Sequence, residues 1–355
     1  MISSVIIGYG FAGRRMQQVI EFERSRRPKS LAAPVIVDPA VAASGGPAFR
    51  SLGDALTAGS YDAAIVTVNE ENHHDILSQL AATDIPLVLC EKPLTSTLAQ
   101  ARDIAPRLRG KRVSLNMVER YSPVFDAYFD WRDSVPGLTV SRVTLFWGKD
   151  RLRDTRPTIG VLSEVIHPLD LAAYAFGLSD VEVTDGFMHH SDFANHNAVP
   201  VADSVHCRLT ASSGCTISAH ASFAWVNRRR EMFAMMSDGV RSYLAHFQFD
   251  MPLWDCDRVT VHSIDAATGR RTCVMHAAFD NDDFPTDLLQ LNKVHRFVTT
   301  SLAHQYEHAT PPALVGLDRA LVLQEWLDKI DCALNRHPGG HDALFPALVP
   351  LDAAQ

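Results

Sequence analysis

Three glycines near the start of the chain constrain its fold more than any other feature. Gly8, Gly10 and Gly13 follow the apolar segment Ser4–Ile7, and apolar residues recur after them with helical spacing. Glycines at this spacing let the chain turn tightly after a strand, let the backbone approach a diphosphate, and let the next helix pack closely on the sheet. Phosphates then lie at the helix N-terminus. The sequence therefore predicts a strand–turn–helix unit that binds a dinucleotide.

The acidic residue after the second predicted strand, residues 34–37, indicates which dinucleotide is bound. Asp38 stands where a carboxylate can accept hydrogen bonds from an adenosine ribose, which favours NAD over NADP. Two alternatives stay open. Asp38 and Pro39 could simply begin a turn, and Arg14 or Arg15 could receive the 2′-phosphate of NADP.

The pattern of apolar residues changes after about residue 120. Before it, strand and helix segments alternate, which predicts a parallel sheet covered by helices. After about residue 135, runs with a period of two predict a mostly antiparallel sheet. We predict an α/β protein: a Rossmann domain over residues 1–120, a C-terminal α/β domain with a large open sheet over 121–335, and an arm over 336–355. Helices are predicted at 160–176, 287–303 and 316–334, and the last can pack back on the Rossmann domain.

Composition narrows the kind of ligand. Apolar residues make up 46% of the chain and the net charge is −8, which argues against nucleic acid or an anionic membrane as a partner. The chain enters a strand without a basic and then apolar leader, and no apolar stretch approaches the roughly twenty residues of a membrane span. We expect a cytoplasmic protein with a small-molecule ligand. The six cysteines lack paired spacing, so neither a metal site nor a disulfide framework is predicted.

A second short motif stands at the end of a later predicted strand. The apolar run Leu87–Cys90 leads into Glu91, Lys92 and Pro93. Ligands of open α/β sheets bind beyond the carboxyl ends of the strands. Lys92 can therefore approach a nicotinamide and a substrate hydroxyl, although a surface lysine before a helix would have the same spacing.

Together these motifs resemble the Gfo/Idh/MocA oxidoreductases, the family of glucose-fructose oxidoreductase and inositol dehydrogenase. The resemblance covers nearly the whole chain and rests on residues 8–13, 67–69, 91–94, 120–123 and 160–170. It implies an N-terminal Rossmann domain, hydride transfer to or from a carbohydrate-like carbon, and assembly through the C-terminal sheet into a homodimer or homotetramer.

The resemblance also assigns catalytic roles. Lys92 matches the family lysine that contacts substrate and supports proton transfer, and His167 matches the histidine that acts as acid and base. Histidine titrates near neutrality, as a group that removes a hydroxyl proton should; a packed helix histidine is the alternative. Family members commonly have an aspartate four residues before the histidine, where this chain has Ser163 followed by Glu164. Either Glu164 orients His167 and holds the proton, or Ser163 is a hydrogen-bonding contact.

The predicted site residues follow from these motifs. The predicted catalytic residues are Lys92, His167 and Glu164. The predicted cofactor contacts are Gly8, Gly10, Phe11, Ala12, Gly13, Asp38, Thr67, Asn69, Glu91 and Lys92. The predicted substrate contacts are Lys92, Arg120, Tyr121, Lys149, Arg151, Arg156, Ser163 and His167. A histidine common in the family after residues 67–69 is replaced by Asn72, with His73 and His74 beyond it, so ring contacts to the cofactor differ there.

The substrate is predicted only as a class. The stretch 149–156 contains a lysine and three arginines that could bind a phosphate, diphosphate or carboxylate, although charged loops are usually just solvated. A second basic run, residues 228–230, is predicted at an exposed hairpin end. We expect an NAD(P)-dependent oxidoreductase that acts on a hydroxyl or keto carbon of a sugar, a phosphorylated or nucleotide-linked sugar, or a cyclitol. A redox-neutral NAD-using glycosidase or epimerase and a non-catalytic dinucleotide sensor are the alternatives.

Overall fold

The N-terminal part of the chain contains a parallel sheet. The structure, a computed structural model, describes residues 1–151, 159–190, 202–288, 290–304 and 311–335. The first five strands are β1 (Ser4–Ile7), β2 (Val35–Val37), β3 (Ala63–Val66), β4 (Leu87–Cys90) and β5 (Arg112–Leu115). They pair in the order β2-β1-β3-β4-β5, and every pair is parallel. β1, β3 and β4 are buried along their whole length, as strands covered by helices on both faces are.

Five helices connect and cover these strands: α1 (Phe11–Arg26), α2 (Pro39–Ala43), α3 (Leu52–Ala58), α4 (His73–Ala81) and α5 (Leu98–Leu108). α1 begins directly after Gly10 and buries Met16, Val19 and Ile20 against the sheet. The Thr97 hydroxyl accepts the Gln100 N–H and so caps α5. β1 and β4 have the same bounds as the apolar segments Ser4–Ile7 and Leu87–Cys90 of the sequence analysis.

The second sheet is larger and mostly antiparallel. Its strands are β6 (Thr139–Asp150), β7 (Val181–His189), β8 (Ser204–Ala211), β9 (Thr216–Ser222), β10 (Ala224–Ser237), β11 (Ser242–Gln248), β12 (Asp257–Ile264) and β13 (Arg271–Phe279). Their order is β13-β12-β11-β10-β6-β9-β8-β7, and among the described strands of this second sheet only β6 and β9 form a parallel pair. In β6, Val143, Leu145 and Trp147 are buried while Phe146 is half-exposed, so one face of this sheet carries the core. The predicted fold class is confirmed.

Four further helices join the two sheets: α6 (Pro123–Asp133), α7 (Leu162–Phe176), α8 (Asn292–His304) and α9 (Leu317–Asn335). α7 packs on β6 and β9 and contacts α9 on its other side, so nearly all of its residues are buried. α7 ends at Gly177, which adopts the left-handed conformation that glycine tolerates. α8 packs on α1, and α9 packs on α5 as well as on β7. No helix in the described ranges is long and apolar enough to cross a membrane.

Two expectations differ from the structure. The helix predicted to start at residue 287 starts at Asn292, where the Asp255 carboxylate accepts the Asn292 N–H at 2.7 Å and replaces the missing helical partner. The basic run 228–230 does not lie at a hairpin end. It lies within β10, and alternation along the strand turns Arg230 into the core, where it is 4% exposed beside buried acids. The predicted arm, 336–355, lies outside the described residues.

Candidate active site

The glycine turn has the shape that a dinucleotide requires. Gly8 has φ of +92°, and a Cβ there would lie 2.8 Å from the Val68 nitrogen; a Cβ on Gly13 would lie 2.2 Å from the Gly8 oxygen. Both positions therefore need glycine for close packing. A Cβ on Gly10 would meet nothing within 4 Å, so the backbone is open from outside at that point. α1 starts there without a side-chain cap and without an acid in its first turn, at Phe11 and Ala12, so its N–H groups suit a diphosphate.

Asp38 lies beside this turn. Its Oδ2 accepts the Tyr9 N–H at 2.8 Å, and its Oδ1 accepts the N–H groups of Ala40 and Val41, so it also begins α2. Oδ2 can accept a second hydrogen bond, and the ribose role stays a prediction. Of the two arginines, Arg14 lies over the Tyr9 ring, whereas Arg15 turns away and contacts Trp254.

Buried polar groups tie together the ends of β1, β3 and β4. The Thr67 hydroxyl donates to the Gly8 oxygen at 2.6 Å. His73, fully buried, contacts the Val68 oxygen at 3.1 Å and the Pro93 oxygen at 2.8 Å with its two ring nitrogens. The Glu91 carboxylate accepts from the Asn116 amide at 2.7 Å. Asn69 is exposed at the start of a 3-10 turn. The predicted cofactor contacts therefore lie at one edge of the parallel sheet.

Two lysines share one buried carboxylate beyond this edge. Lys92 Nζ donates to the Ser163 carbonyl oxygen at 2.7 Å and lies 3.5 Å from Glu164 Oε1. Lys149 Nζ, at the end of β6, lies 2.5 Å from the same oxygen. Glu164 Oε2 is buried and has no hydrogen-bond partner in the described part of the chain. The structure thus brings Lys92, Lys149, Ser163 and Glu164 together.

Burial and charge set the protonation of this group. Burial alone would raise the pKa of Glu164, but Lys149 and Lys92 outweigh it and hold that pKa well below its usual value. Burial lowers the pKa of Lys149 to about 8, although Glu164 opposes this. Glu164 is therefore a carboxylate at neutral pH. Lys149 gains or loses its proton at a pH slightly above neutrality.

His167 meets a different acid from the one expected. Its Nδ1 lies 3.0 Å from Oε2 of Glu119, a residue of the 3-10 helix Val118–Tyr121, and both side chains are buried. The contact has the distance of a hydrogen bond without its straight N–H···O angle, and neither atom bonds any other described group. The His167 ring stacks on Trp147 with a centroid distance of 5.9 Å and an interplanar angle of 19°.

Glu119 belongs to a buried ionic network. Arg230 donates to Glu119 Oε1 at 2.8 Å and also contacts the Asp250 carboxylate. Lys293 donates to Asp250 at 2.6 Å and to Asp257 at 3.1 Å. Burial alone would raise the pKa of Glu119, but His167, Arg230 and Lys293 outweigh it and lower that pKa. Each buried charge therefore has a partner of opposite sign.

Two other predicted substrate contacts, Arg120 and Tyr121, are not brought to this cluster. Arg120 is buried in a bidentate pair with Asp170 at 2.5 and 2.6 Å. The Tyr121 ring is buried against Phe297. The Arg151 guanidinium lies over the Phe223 ring, next to Lys149, and Arg156 lies outside the described residues. Because both side chains are buried, the structure does not support substrate contacts by Arg120 or Tyr121.

Sequence reasoning missed Glu119, Trp147 and Arg230. Glu119 directly precedes the segment 120–123 that carries the resemblance, so its position after β5 was the available signal. Trp147 and Arg230 belong to strands far apart in sequence, and only the pairing of β6 with β10, which sets Arg230 opposite Trp147, brings them to His167. No local pattern indicates such a pairing.

Comparison with known proteins supports the resemblance. Residues 2–118 match the model of the oxidoreductase family with an NAD-binding Rossmann fold, Gfo/Idh/MocA. Inositol 2-dehydrogenase of Leifsonia xyli subsp. xyli is 34% identical over 91 residues, which are 25% of this chain and 26% of that relative. The match therefore spans about a quarter of the relative's length. Over residues 2–118 the match agrees with the predicted family, and a nicotinamide dinucleotide as cofactor is confirmed, while NAD over NADP stays a prediction.

Solved structures extend the similarity of fold to almost the whole chain. UDP-N-acetylglucosamine 3-dehydrogenase from Acidithiobacillus ferrooxidans has a TM-score of 0.68 at 18% identity, covering 94% of this chain and 98% of that one. Levoglucosan dehydrogenase, in complex with NADH and levoglucosan, has a TM-score of 0.70 at 14% identity, covering 94% and 97%. At these identities the similarity concerns the fold alone.

Proposed function

We propose that this protein is an NAD-dependent dehydrogenase or reductase, because residues 2–118 match the NAD-binding Rossmann model of the Gfo/Idh/MocA oxidoreductases. Its substrate is a sugar, a sugar derivative or a cyclitol, oxidised or reduced at one hydroxyl or keto carbon. The observation that carries the proposal is the contact of Lys92, which lies two residues after the end of β4, with Glu164, which lies three residues before His167 on α7. The contact lies beyond the carboxyl ends of the parallel strands. This is where open α/β sheets bind ligands. Two proteins of similar fold are named as dehydrogenases of UDP-N-acetylglucosamine and of levoglucosan, which favours this substrate class.

In the proposed reaction, side chains of this protein bind the substrate hydroxyl and accept its proton. Bound NAD supplies the acceptor for a hydride from the carbinol carbon. His167 takes the proton of the same hydroxyl, so that the substrate loses two electrons and two hydrogens in total and becomes a carbonyl compound. The Lys92 ammonium donates to the hydroxyl oxygen and stabilises the negative charge that develops there. Glu164 holds Lys92 and Lys149 in place, and Lys149 binds a neighbouring substrate oxygen.

The test is reduction of nicotinamide, followed by absorbance, with a panel of neutral sugars, cyclitols, sugar phosphates and nucleotide sugars, and with NADP in parallel. Lys92→Met and His167→Asn should lower kcat about 10²- to 10⁴-fold, far more than they weaken NADH binding. Lys29→Met, at an exposed lysine between α1 and β2, is the control. Silence across the panel, in protein that binds NADH, would contradict the proposal and favour the redox-neutral enzyme or the sensor.

We also propose that the protein is a cytoplasmic homodimer or homotetramer that assembles through the large sheet. The support for assembly is an aromatic stripe on the sheet face opposite the core. Phe233 stacks on His246 with centroids 4.1 Å apart and meets the half-exposed Phe146 at 6.3 Å. Such a stripe on a monomer would be costly to leave in water. Light scattering should give two or four copies, and Phe233→Glu should shift the mass toward one copy.

A further inference from the structure

Within the described ranges, the His167 ring contacts one carboxylate, that of Glu119. Nδ1 of His167 lies 3.0 Å from Glu119 Oε2, and the two side chains are 7% and 2% exposed. Neither atom has a hydrogen bond to another group in the described ranges. Trp147 packs flat on the imidazole and limits tilting of the ring, so the ring plane is set by packing.

Glu119 is itself held in one orientation. Its other oxygen, Oε1, accepts from Arg230 at 2.8 Å, and Arg230 is fixed in turn by Asp250, to which Lys293 donates at 2.6 Å. These groups come from β10, from the segment after β11, and from α8, so three separate elements hold the carboxylate. Because Oε1 is occupied by Arg230, Oε2 is the oxygen left for His167.

Glu164, the acid that helical spacing suggests as the partner of His167, is already engaged. Its Oε1 lies 2.5 Å from Lys149 Nζ and 3.5 Å from Lys92 Nζ. The charged groups around His167 thus divide into two sets. Lys92, Lys149 and Glu164 form one set, and Glu119, Arg230, Asp250 and Lys293 form the other.

We propose that Glu119 is the positioning residue of His167: it holds the imidazole with its proton on Nδ1, so that Nε2 carries the lone pair that takes the substrate hydroxyl proton. Arg230 supports this by fixing Glu119. The role rests on the proposed function, because it gives His167 the tautomer of a general base. The proton moves from the hydroxyl oxygen to Nε2, and the ring becomes an imidazolium whose charge Glu119 balances.

The first test needs no substrate. In protein labelled with ¹⁵N-histidine, the ring nitrogen shifts of His167, assigned with His167→Asn, report which nitrogen bears the proton. At a pH where the ring is neutral, we expect the proton on Nδ1 in the unaltered protein and a mixture of tautomers in Glu119→Ala. A proton on Nε2 in the unaltered protein would overturn the proposal, as would the same tautomer in Glu119→Ala.

Kinetics separate positioning from mere folding. We expect kcat to fall about 10²-fold in Glu119→Ala, with KM and the Kd for NADH within about twofold. Glu119→Gln should lose less, because its amide oxygen still accepts from Nδ1–H, and the acid limb of its pH profile should move to lower pH, because the negative charge beside His167 is gone. An unchanged profile in Glu119→Gln would refute the charge role.

The chain offers a matched control. Glu23, on α1, pairs with His295 Nε2 at 2.6 Å and is likewise buried. It lies twelve residues beyond Phe11, about 18 Å along the helix. Glu23→Gln removes the same kind of pair and should leave kcat and the pH profile unchanged. If the protein oxidises nothing but the His167 tautomer depends on Glu119, the proposed function fails and the pairing stands. If the protein is active and the tautomer does not depend on Glu119, the pairing fails and the proposed function stands.

Discussion

Replacing Glu164 by glutamine should destabilise the protein in a pH-dependent way. Glu164 Oε1 lies 2.5 Å from Lys149 Nζ and 3.5 Å from Lys92 Nζ, and the Glu164 side chain is 4% exposed. At an effective dielectric constant of about 20, these separations correspond to roughly 7 and 5 kcal/mol of attraction before desolvation is subtracted. Removing one partner of a buried pair costs about 3–5 kcal/mol because the other charge stays uncompensated.

The lysines can recover part of this loss. Their side chains are 15% (Lys92) and 28% (Lys149) exposed, so water can reach them once Glu164 is neutral. We therefore expect about 2–4 kcal/mol of destabilisation at pH 7, or a Tm lower by roughly 3–6 °C for a chain of this size. Scanning fluorimetry of Glu164→Gln without ligand measures it. The double variant Glu164→Gln/Lys149→Met should be more stable than the sum of the single effects predicts, because it also removes the stranded cation.

The sign of the pH effect follows from Lys149. Its pKa of about 8 lies below the ordinary value of 10.5, and Glu164 is a group that raises it, so the substitution lowers it further. When a lysine pKa is lower in the folded protein, the unfolded chain binds more protons and stability rises with pH between the two values. The deficit of Glu164→Gln should therefore be largest on the acid side of neutrality and shrink up to about pH 8. A Tm within 1 °C of the unaltered protein at pH 7, or strictly additive double-variant effects, would refute this account of the lysine pair.

Three further predictions concern the cofactor turn and the buried network. Asp38→Ser should raise kcat/KM for NADP relative to NAD, because the carboxylate that repels a 2′-phosphate is gone while Arg14 remains beside Tyr9; an unchanged ratio in steady-state kinetics would contradict this. Gly10→Ala should leave the Tm unchanged but weaken NADH binding in fluorescence titration. Gly13→Ala should lower the Tm as well as the affinity for NADH, because a Cβ on Gly13 would lie 2.2 Å from the Gly8 oxygen, whereas one on Gly10 would meet no protein atom within 4 Å. Lys293→Met should destabilise the protein by about 3–5 kcal/mol in chemical denaturation by stranding two buried carboxylates, while Lys29→Met stays within about 0.5 kcal/mol.

Features that depend on neighbouring residues were predictable from the sequence. The glycine spacing gives the turn before α1, and a short apolar run followed by Lys92 gives the end of β4, because both depend on a few consecutive residues. The rule that ligands bind at the carboxyl ends of parallel strands then predicts that Lys92 lies at the ligand-binding edge of the sheet. The change from alternating strand and helix segments to runs with an apolar period of two correctly separates the parallel sheet from the mostly antiparallel one.

The partners of the charged residues were not predictable. Helical spacing puts Glu164 three residues before His167, yet the side chain of Glu164 meets Lys149 and Lys92, which arrive from two different sheets. Glu119 takes the place beside His167 because Arg230 of β10 fixes it there. The sequence predicted Arg230 at an exposed hairpin end. Because successive side chains of a strand point to opposite faces, its position in the long strand β10 turns it towards the core. Long-range pairing decides these contacts, and local sequence does not encode it.

The pairing of charges bears on the substrate. An anionic substrate group would have to compete with Glu164 for Lys149, and that competition is unequal, because Glu164 is fixed on α7 and already lies 2.5 Å away. An uncharged hydroxyl needs only a hydrogen bond from Lys92 and an acceptor for its proton. In the proposed reaction the hydroxyl proton moves to His167, so the oxygen gains negative charge. The Lys92 ammonium would stabilise this charge in the transition state more than it stabilises the neutral hydroxyl. If the hydride left the carbon before the proton left the oxygen, positive charge would develop on the carbon. The positively charged Lys92 would disfavour that charge. The arrangement therefore favours a reaction in which proton transfer to His167 accompanies or precedes hydride transfer.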